Sequence, residues 1–276
     1  MVERNVWRKK GHKAFVVVPA YNEAETIAET VRKLNIVKKS GVIQGFVVVS
    51  DGSKDKTAQI ARKAGAEVIE YRYNFGKARA FVTGAKRAKA NGATIVVTLD
   101  AELRNITIGR VRQLIKPIVT TKNLDMVIGT VGTVSKRETQ NYSGQRAVRL
   151  SAIGSLVQGK GTTLGRTMMR TRYGLERALN HITTYPKIVG TRFRVTRGPS
   201  RNLAGMKDIS QYLNLREKRA DQLRTWRKLN KYIKGTAHRR KVRKELRKAR
   251  KSEKAKRANM LQTIKKNNLL GKKLPR

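Results

Sequence analysis

The chain reads as an α/β protein. A mostly parallel sheet covered by helices is expected over residues 1–200, with a basic helical extension over 201–276. Three observations predict this. Short apolar runs alternate with segments of helical spacing. The apolar runs do not alternate in polarity, as strands buried on both faces would not. The charge balance then shifts sharply: residues 136–276 hold 40 Lys and Arg against 7 Asp and Glu.

The elements follow in order. AFVVV at 14–18 is a strand, and the next segment places Ile27, Val31, Leu34 and Val37 on one helical face. QGFVVVS (44–50) is the second strand, and KTAQIARKAGA (56–66) a helix stopped at Gly65. EVIEY (67–71) is a short strand, and 76–92 is a helix ended by Asn91-Gly92. TIVVTLD (94–100) is a doubly buried strand, ITIGRVRQLIKPIV a helix, and DMVIGTV (125–131) a strand. SGQRAVRLSAIGSLVQ (143–158) and TRYGLERALNHI (171–182) read as helices, and KIVGTRFRVT (187–196) as one strand. Beyond about 207 the chain is charged; 238–257 is a basic helix with little apolar stripe.

Composition narrows the function. The formal net charge is +46 and the pI near 11.4, so partners are expected to be anionic: nucleic acid, a membrane surface or phosphorylated substrates. The chain has no cysteine, which excludes disulfides and thiolate zinc sites and fits a reducing compartment. No apolar run approaches the roughly 20 residues of a membrane span. Aromatic residues make up 5%, thin for reading single strands by stacking. A near P-loop at Gly154, Gly159 and Lys160 fails because Gly161 stands where Ser or Thr is needed. His12, His181 and His238 are read as non-catalytic.

Four stretches fall where strands give way to loops, the ligand-binding end of an open parallel sheet. PAYNEAET (19–26) ends the first strand, with Asn22 and Glu25 arranged like a capping box. SDGSKDKT (50–57) ends the second and reads equally as ordinary turn chemistry. Gly76-Lys77 opens a helix, a setting that suits phosphate. DAEL (100–103) is the sharpest. Residues two apart in an extended segment share a side, so Asp100 and Glu102 face one crevice and can hold a hard divalent ion.

Together these stretches resemble the family 2 glycosyltransferases of GT-A fold. The pattern of that family is P-x-Y-N-E, D-D-G-S-x-D-x-T, G-K-G and D-A-D-L. Here it stands as Pro19–Glu23, Ser50–Thr57, Gly76–Ala78 and Asp100–Leu103, and 125–129, 143–149 and 173–180 resemble later segments. The likeness covers roughly 12–197 and points to enzymes that glycosylate a polyprenyl phosphate or phosphoglycerate. It implies that Pro19, Tyr21 and Glu23 wall the base and ribose pocket. It also implies that Asp51 bonds the nucleobase and Lys77 sits by the diphosphate. Asp100 and Glu102 would hold Mg²⁺ or Mn²⁺, Gln145 and Arg146 would line the acceptor side, and Glu176 would stand near the acceptor group. Read without the resemblance, Glu176 is a surface helix acid paired with a neighbour such as Arg172.

Three departures stand out: Ser50 for the first aspartate, Ala78 for the last glycine, and Glu102 for the second aspartate of D-x-D. The expected function is transfer of a sugar from a UDP- or GDP-linked donor to a lipid-phosphate or small phosphorylated acceptor. A second reading is a nucleic-acid- or ribosome-binding protein that keeps a transferase fold with little turnover. The basic tail suits either an anionic membrane surface or nucleic acid. The expected location is the cytoplasm, with peripheral contact on the inner face of the membrane.

Overall fold

In the computed structural model, the described residues are 11–131, 143–158, 175–183 and 186–193. They fall within one compact unit, Met1–Thr196; the second unit, Arg197–Arg276, and with it the expected basic helical extension, lies outside the described residues. The strands are β1 (Ala14–Ala20), β2 (Gly45–Asp51), β3 (Glu67–Tyr71), β4 (Ile95–Thr98), β5 (Met126–Val131), β6 (Arg146–Arg149) and β7 (Pro186–Phe193). The helices are α1 (Ile27–Lys39), α2 (Thr57–Lys63), α3 (Lys77–Ala90), α4 (Ile108–Thr120), α5 (Gly154–Gln158) and α6 (Leu175–Ile182).

One sheet runs in the order β3-β2-β1-β4-β6-β5-β7. β1, β2, β3 and β4 are parallel, β5 is parallel to β7, and β6 runs antiparallel to both its neighbours. This reversal decides the site. Arg146 pairs with Thr98 at the end of β4, so the amino end of β6 meets the carboxyl ends of the parallel strands.

The apolar runs form the core as their lack of alternation requires. Val16, Val17, Val18, Val47, Val48, Val49, Val96 and Val97 are fully buried. The helical face Ile27, Val31, Leu34 and Val37 is buried as expected, each such side chain contributing about 2 kcal/mol of apolar burial. α3 lies close on β1 because residue 84 is glycine: a Cβ there would stand 2.2 Å from Val17 Cγ1. Gly65 ends the turn after α2 at φ 91, where only glycine is unstrained.

Two sequence expectations are corrected. Residues 143–158 are not one helix: they form β6, a turn and the short α5. The spacing of Ala147, Leu150 and Ile153 imitates a helical face, but 146–149 complete the sheet between β4 and β5. Asn22 does not cap α1, whose N-cap is Thr26, and the Thr26 side chain makes no capping bond to the helix. Asn22 instead adopts a left-handed conformation (φ 54) and accepts a hydrogen bond from the Lys54 N–H at 2.8 Å. Of the remaining expected elements, 171–174 and 194–196 lie outside the described residues.

Candidate active site

The first two motif loops lock each other. The Asn22 N–H donates to Ser53 Oγ (3.2 Å), Glu23 N–H to Thr57 Oγ1 (2.8 Å) and Ala24 N–H to Asp55 Oδ2 (3.1 Å). Ser50 is fully buried and its Oγ bonds that of Ser53 at 3.0 Å, so the departure at this position is absorbed by a local hydroxyl pair. Much of the second motif thus serves to shape the first loop. A loop at a sheet end must satisfy its own backbone donors, and short Ser, Thr and Asp side chains do so.

Asp51, the last residue of β2, is 3% exposed. Its oxygens accept from the Phe75 N–H (2.8 Å) and the Gly76 N–H (2.7 Å). Gly52 (φ 68) presses against this turn; a Cβ there would meet the Tyr73 carbonyl carbon at 2.3 Å and Asn74 N at 2.4 Å. Asp51 and Gly52 therefore fix the start of α3. Gly76 enters the helix at φ 95, and Lys77 is its first residue.

Lys77 is the hub. Its Nζ donates to Asp100 Oδ1 at 2.7 Å and to Glu176 Oε1 at 2.8 Å. The Lys77 side chain is 24% exposed and that of Glu176 8%. Burial opposes the ammonium charge, but Asp100 and Glu176 outweigh it and raise the Lys77 pKa above its ordinary value. Glu176 lies in the first turn of α6, where the helix dipole favours an acid. It is not a surface acid; its partner is Lys77, and Arg172 lies outside the described residues.

Asp100 lies two residues past the end of β4. Leu99, Ala101 and Leu103 are buried while Asp100 and Glu102 are partly exposed, and both acids lie near enough to Glu23 to raise its carboxyl. Thr30 Oγ1 donates to the Ala101 carbonyl at 2.7 Å and ties this loop to α1. Gln145 Nε2 donates to Asp100 Oδ2 at 2.9 Å, and the Asp100 N–H donates to Gln145 Oε1 at 3.3 Å. Arg146, fully buried, donates to the Ser143 carbonyl (2.7 Å) and to Asn180 Oδ1 (2.6 Å). Burial pulls its guanidinium down to about 10, against the pull of Glu176 and Asp100, so it keeps its charge at neutral pH.

Glu23 joins this field. Burial pushes its carboxyl up to about 6; the bond from Thr26 lowers it, and the charges of Glu102, Asp100 and Asp55 raise it further. Negative charge has accumulated here in excess of what Lys77 offsets. Asp100 and Glu102 are carboxylates of the kind that hold Mg²⁺ and Mn²⁺ together with phosphate oxygens and water. Among the described residues no cluster of three or more acidic or histidine ligands stands ready for an ion. A cation here would depend on oxygens brought by a ligand.

The structure thus joins Lys77, Asp100, Glu176 and Gln145 by direct bonds, and brings Glu23, Glu102 and Arg146 into the same field. Tyr21 stands 43% exposed at the rim. Pro19 pairs with Val49 beyond the last β1–β4 pair, where no ladder bond is demanded of it. Sequence reasoning missed Gly144 and Asn180. A Cβ on Gly144 would lie 2.5 Å from Lys77 Nζ. Asn180 is one helical turn beyond Glu176, a spacing that signals a shared face.

A mostly parallel sheet with one reversed strand and an acid-and-lysine site at its carboxyl end defines a GT-A-type α/β protein. The chain belongs to glycosyl transferase family 2, whose model matches residues 15–174. It is 39% identical over 127 residues to an uncharacterized protein of Methanocaldococcus jannaschii, covering 46% of this chain and 49% of that one. It is 29% identical over 160 residues to the undecaprenyl-phosphate 4-deoxy-4-formamido-L-arabinose transferase of Edwardsiella ictaluri, covering 55% and 45%. The chain thus spans about half the length of these curated relatives. The fold is shared with glucosyl-3-phosphoglycerate synthase from Mycobacterium tuberculosis, solved with Mn²⁺, uridine diphosphate and phosphoglyceric acid. That structure gives a TM-score of 0.58 at 21% identity, covering 79% of each chain. No helix among the described residues is long and apolar enough to cross a membrane.

Proposed function

We propose that this chain transfers a sugar from a UDP-linked donor to a phosphate-bearing acceptor, a polyprenyl phosphate being favoured over a small phosphorylated acid. The observation that carries this reading is the junction of Lys77, Asp100 and Glu176 at the carboxyl end of the sheet. Family membership sets the reaction class. The acceptor class is supported by the undecaprenyl-phosphate transferase among the sequence relatives, and UDP by the ligands of the glucosyl-3-phosphoglycerate synthase structures.

Asp100 and Glu102 are the residues that would hold Mg²⁺ or Mn²⁺, which supplies charge neutralisation on the departing diphosphate. Lys77, at the first turn of α3, stands beside that diphosphate and can exchange a carboxylate for a phosphate oxygen. Asp51 and Gly52 hold the turn that aims it. Tyr21, Pro19 and Glu23 flank the base and ribose, and Arg146 offers its fixed charge toward the acceptor side. An acceptor phosphate is already an anionic nucleophile and requires no strong base. With a hydroxyl acceptor, Glu176 is the carboxylate in place to take the proton. The basic residues beyond 200 would then hold the chain against an anionic membrane in which a lipid-linked acceptor lies.

The test is a thermal-shift and calorimetric panel of UDP- and GDP-sugars with and without Mn²⁺. Stabilisation by a UDP-sugar that requires Mn²⁺ and disappears in Asp100→Ala is expected. Salt-sensitive RNA binding with no response to any nucleotide sugar would overturn the reading in favour of a nucleic-acid-binding protein.

A further inference from the structure

We propose that Gln145 is a positioning residue that makes Asp100 a one-oxygen ligand, turning Oδ1 alone toward the divalent cation of the donor site. This rests on the metal reading of Asp100 above. The side chain of Gln145 is 1% exposed and meets Asp100 twice. Its Nε2 donates to Asp100 Oδ2 at 2.9 Å and its Oε1 accepts the Asp100 N–H at 3.3 Å. The amide orientation is not arbitrary: a carboxylate only accepts and a backbone N–H only donates, so both bonds form in one orientation alone. The pair closes a ring that holds the Asp100 side chain against its own backbone.

Gln145 is itself fastened on both sides. Its backbone carbonyl accepts the Gly129 N–H at 2.8 Å, and its backbone N–H donates to Ser143 Oγ at 3.3 Å. Ser143 Oγ donates in turn to the Gly129 carbonyl at 2.6 Å. The amino end of β6 is thus anchored to β5, and the amide is delivered to the end of β4 as a fixed group. Each Asp100 oxygen is left with a different task. Oδ2 is held by a neutral amide that has no other place to go. Oδ1 is held by Lys77, a cation on a four-carbon stem that can leave when a stronger cation and a diphosphate arrive. Neutrality matters here: a charged donor in place of Gln145 would compete with the cation, and a carboxylate would repel Asp100.

The experiment is an electron paramagnetic resonance titration of Mn²⁺ into the full chain with UDP, against a UDP-only blank. Gln145→Leu is expected to weaken Mn²⁺ binding by about 10- to 100-fold, as loss of the group that orients a metal ligand does. In an Asp100→Asn background the same substitution is expected to change nothing further, because its effect passes through Asp100. Gln145→Asn, a shorter amide that cannot close the ring, is expected to match Gln145→Leu and serves if the leucine variant does not fold. Unchanged Mn²⁺ affinity in Gln145→Leu and Gln145→Asn, with loss in Asp100→Asn, overturns the positioning role alone. Unchanged affinity in Asp100→Asn overturns the metal reading itself. Additive losses in the double variant show that Gln145 acts by another route and also overturn the proposal.

Discussion

Gly144→Ala separates the site from the fold. A Cβ at residue 144 would stand 2.5 Å from Lys77 Nζ, 2.6 Å from Asp100 Oδ1 and 2.7 Å from Asp100 Oδ2. Ordinary contact for such atoms is about 3.5 Å, so the ion pair must retreat by roughly 1 Å. The obstructed atoms are the far ends of two side chains, not backbone, and Gly144 has no positive φ to lose. Stability should therefore change little, by about 1 kcal/mol for a weakened ion pair of partial exposure, or a few degrees in Tm. Positioning is far less tolerant: a misplacement of about 1 Å costs on the order of 10²-fold in rate, about 2.7 kcal/mol of transition-state stabilisation. The assay is release of UDP from UDP-glucose with Mn²⁺ and a polyprenyl phosphate, beside a thermal melt. Gly109→Ala, with nothing within 4 Å of its Cβ, is the control and should gain about 0.5 kcal/mol from helix propensity. A Gly144→Ala chain that melts normally and turns over at the wild-type rate would refute the crowding of the pair as a functional constraint.

Lys77→Met should abolish turnover and cost about 2–3 kcal/mol in a urea melt, because it leaves Glu176, 6% exposed, without the cation that holds it. Adding Glu176→Leu should recover part of that stability and none of the activity. A single variant as stable as wild type would show that the pair is not what holds Glu176. Glu23 predicts a pH dependence. Its folded-state carboxyl titrates at about 6, above the ordinary 4.5, chiefly because it is buried. The folded chain therefore holds this proton more tightly. The contribution is fully present below pH 4.5 and is lost as pH rises through about 6. After allowance for partial exposure it amounts to about 1 kcal/mol. Glu23→Gln should flatten the urea midpoint across that window, and an unchanged slope would remove burial of Glu23 as its cause.

The sheet was legible because burial on both faces leaves a mark that needs no partner to be read. AFVVV, GFVVV and IVV are apolar at every step, and each lies in a strand of the core. Residues 143–158 were misread because four residues of a strand carry too little pattern to oppose the spacing of Ala147, Leu150 and Ile153. Their strand character comes from β4 and β5 on either side. Asn22 was misread for a related reason: its side chain could cap a helix, but Lys54, distant in the chain, offered an N–H that fixed it elsewhere.

What the sequence by itself determined is local: where strands end, and that acids and a lysine stand at those ends. These follow from periodicity and residue chemistry within a few positions. Only the tertiary structure decided which of those groups meet. Lys77 and Glu176 meet across 99 residues, and Gln145 reaches Asp100 across 45 because one reversed strand carries its amino end to the carboxyl end of its neighbours. Strand direction is set by pairing over the whole sheet, and no local run of side chains encodes it.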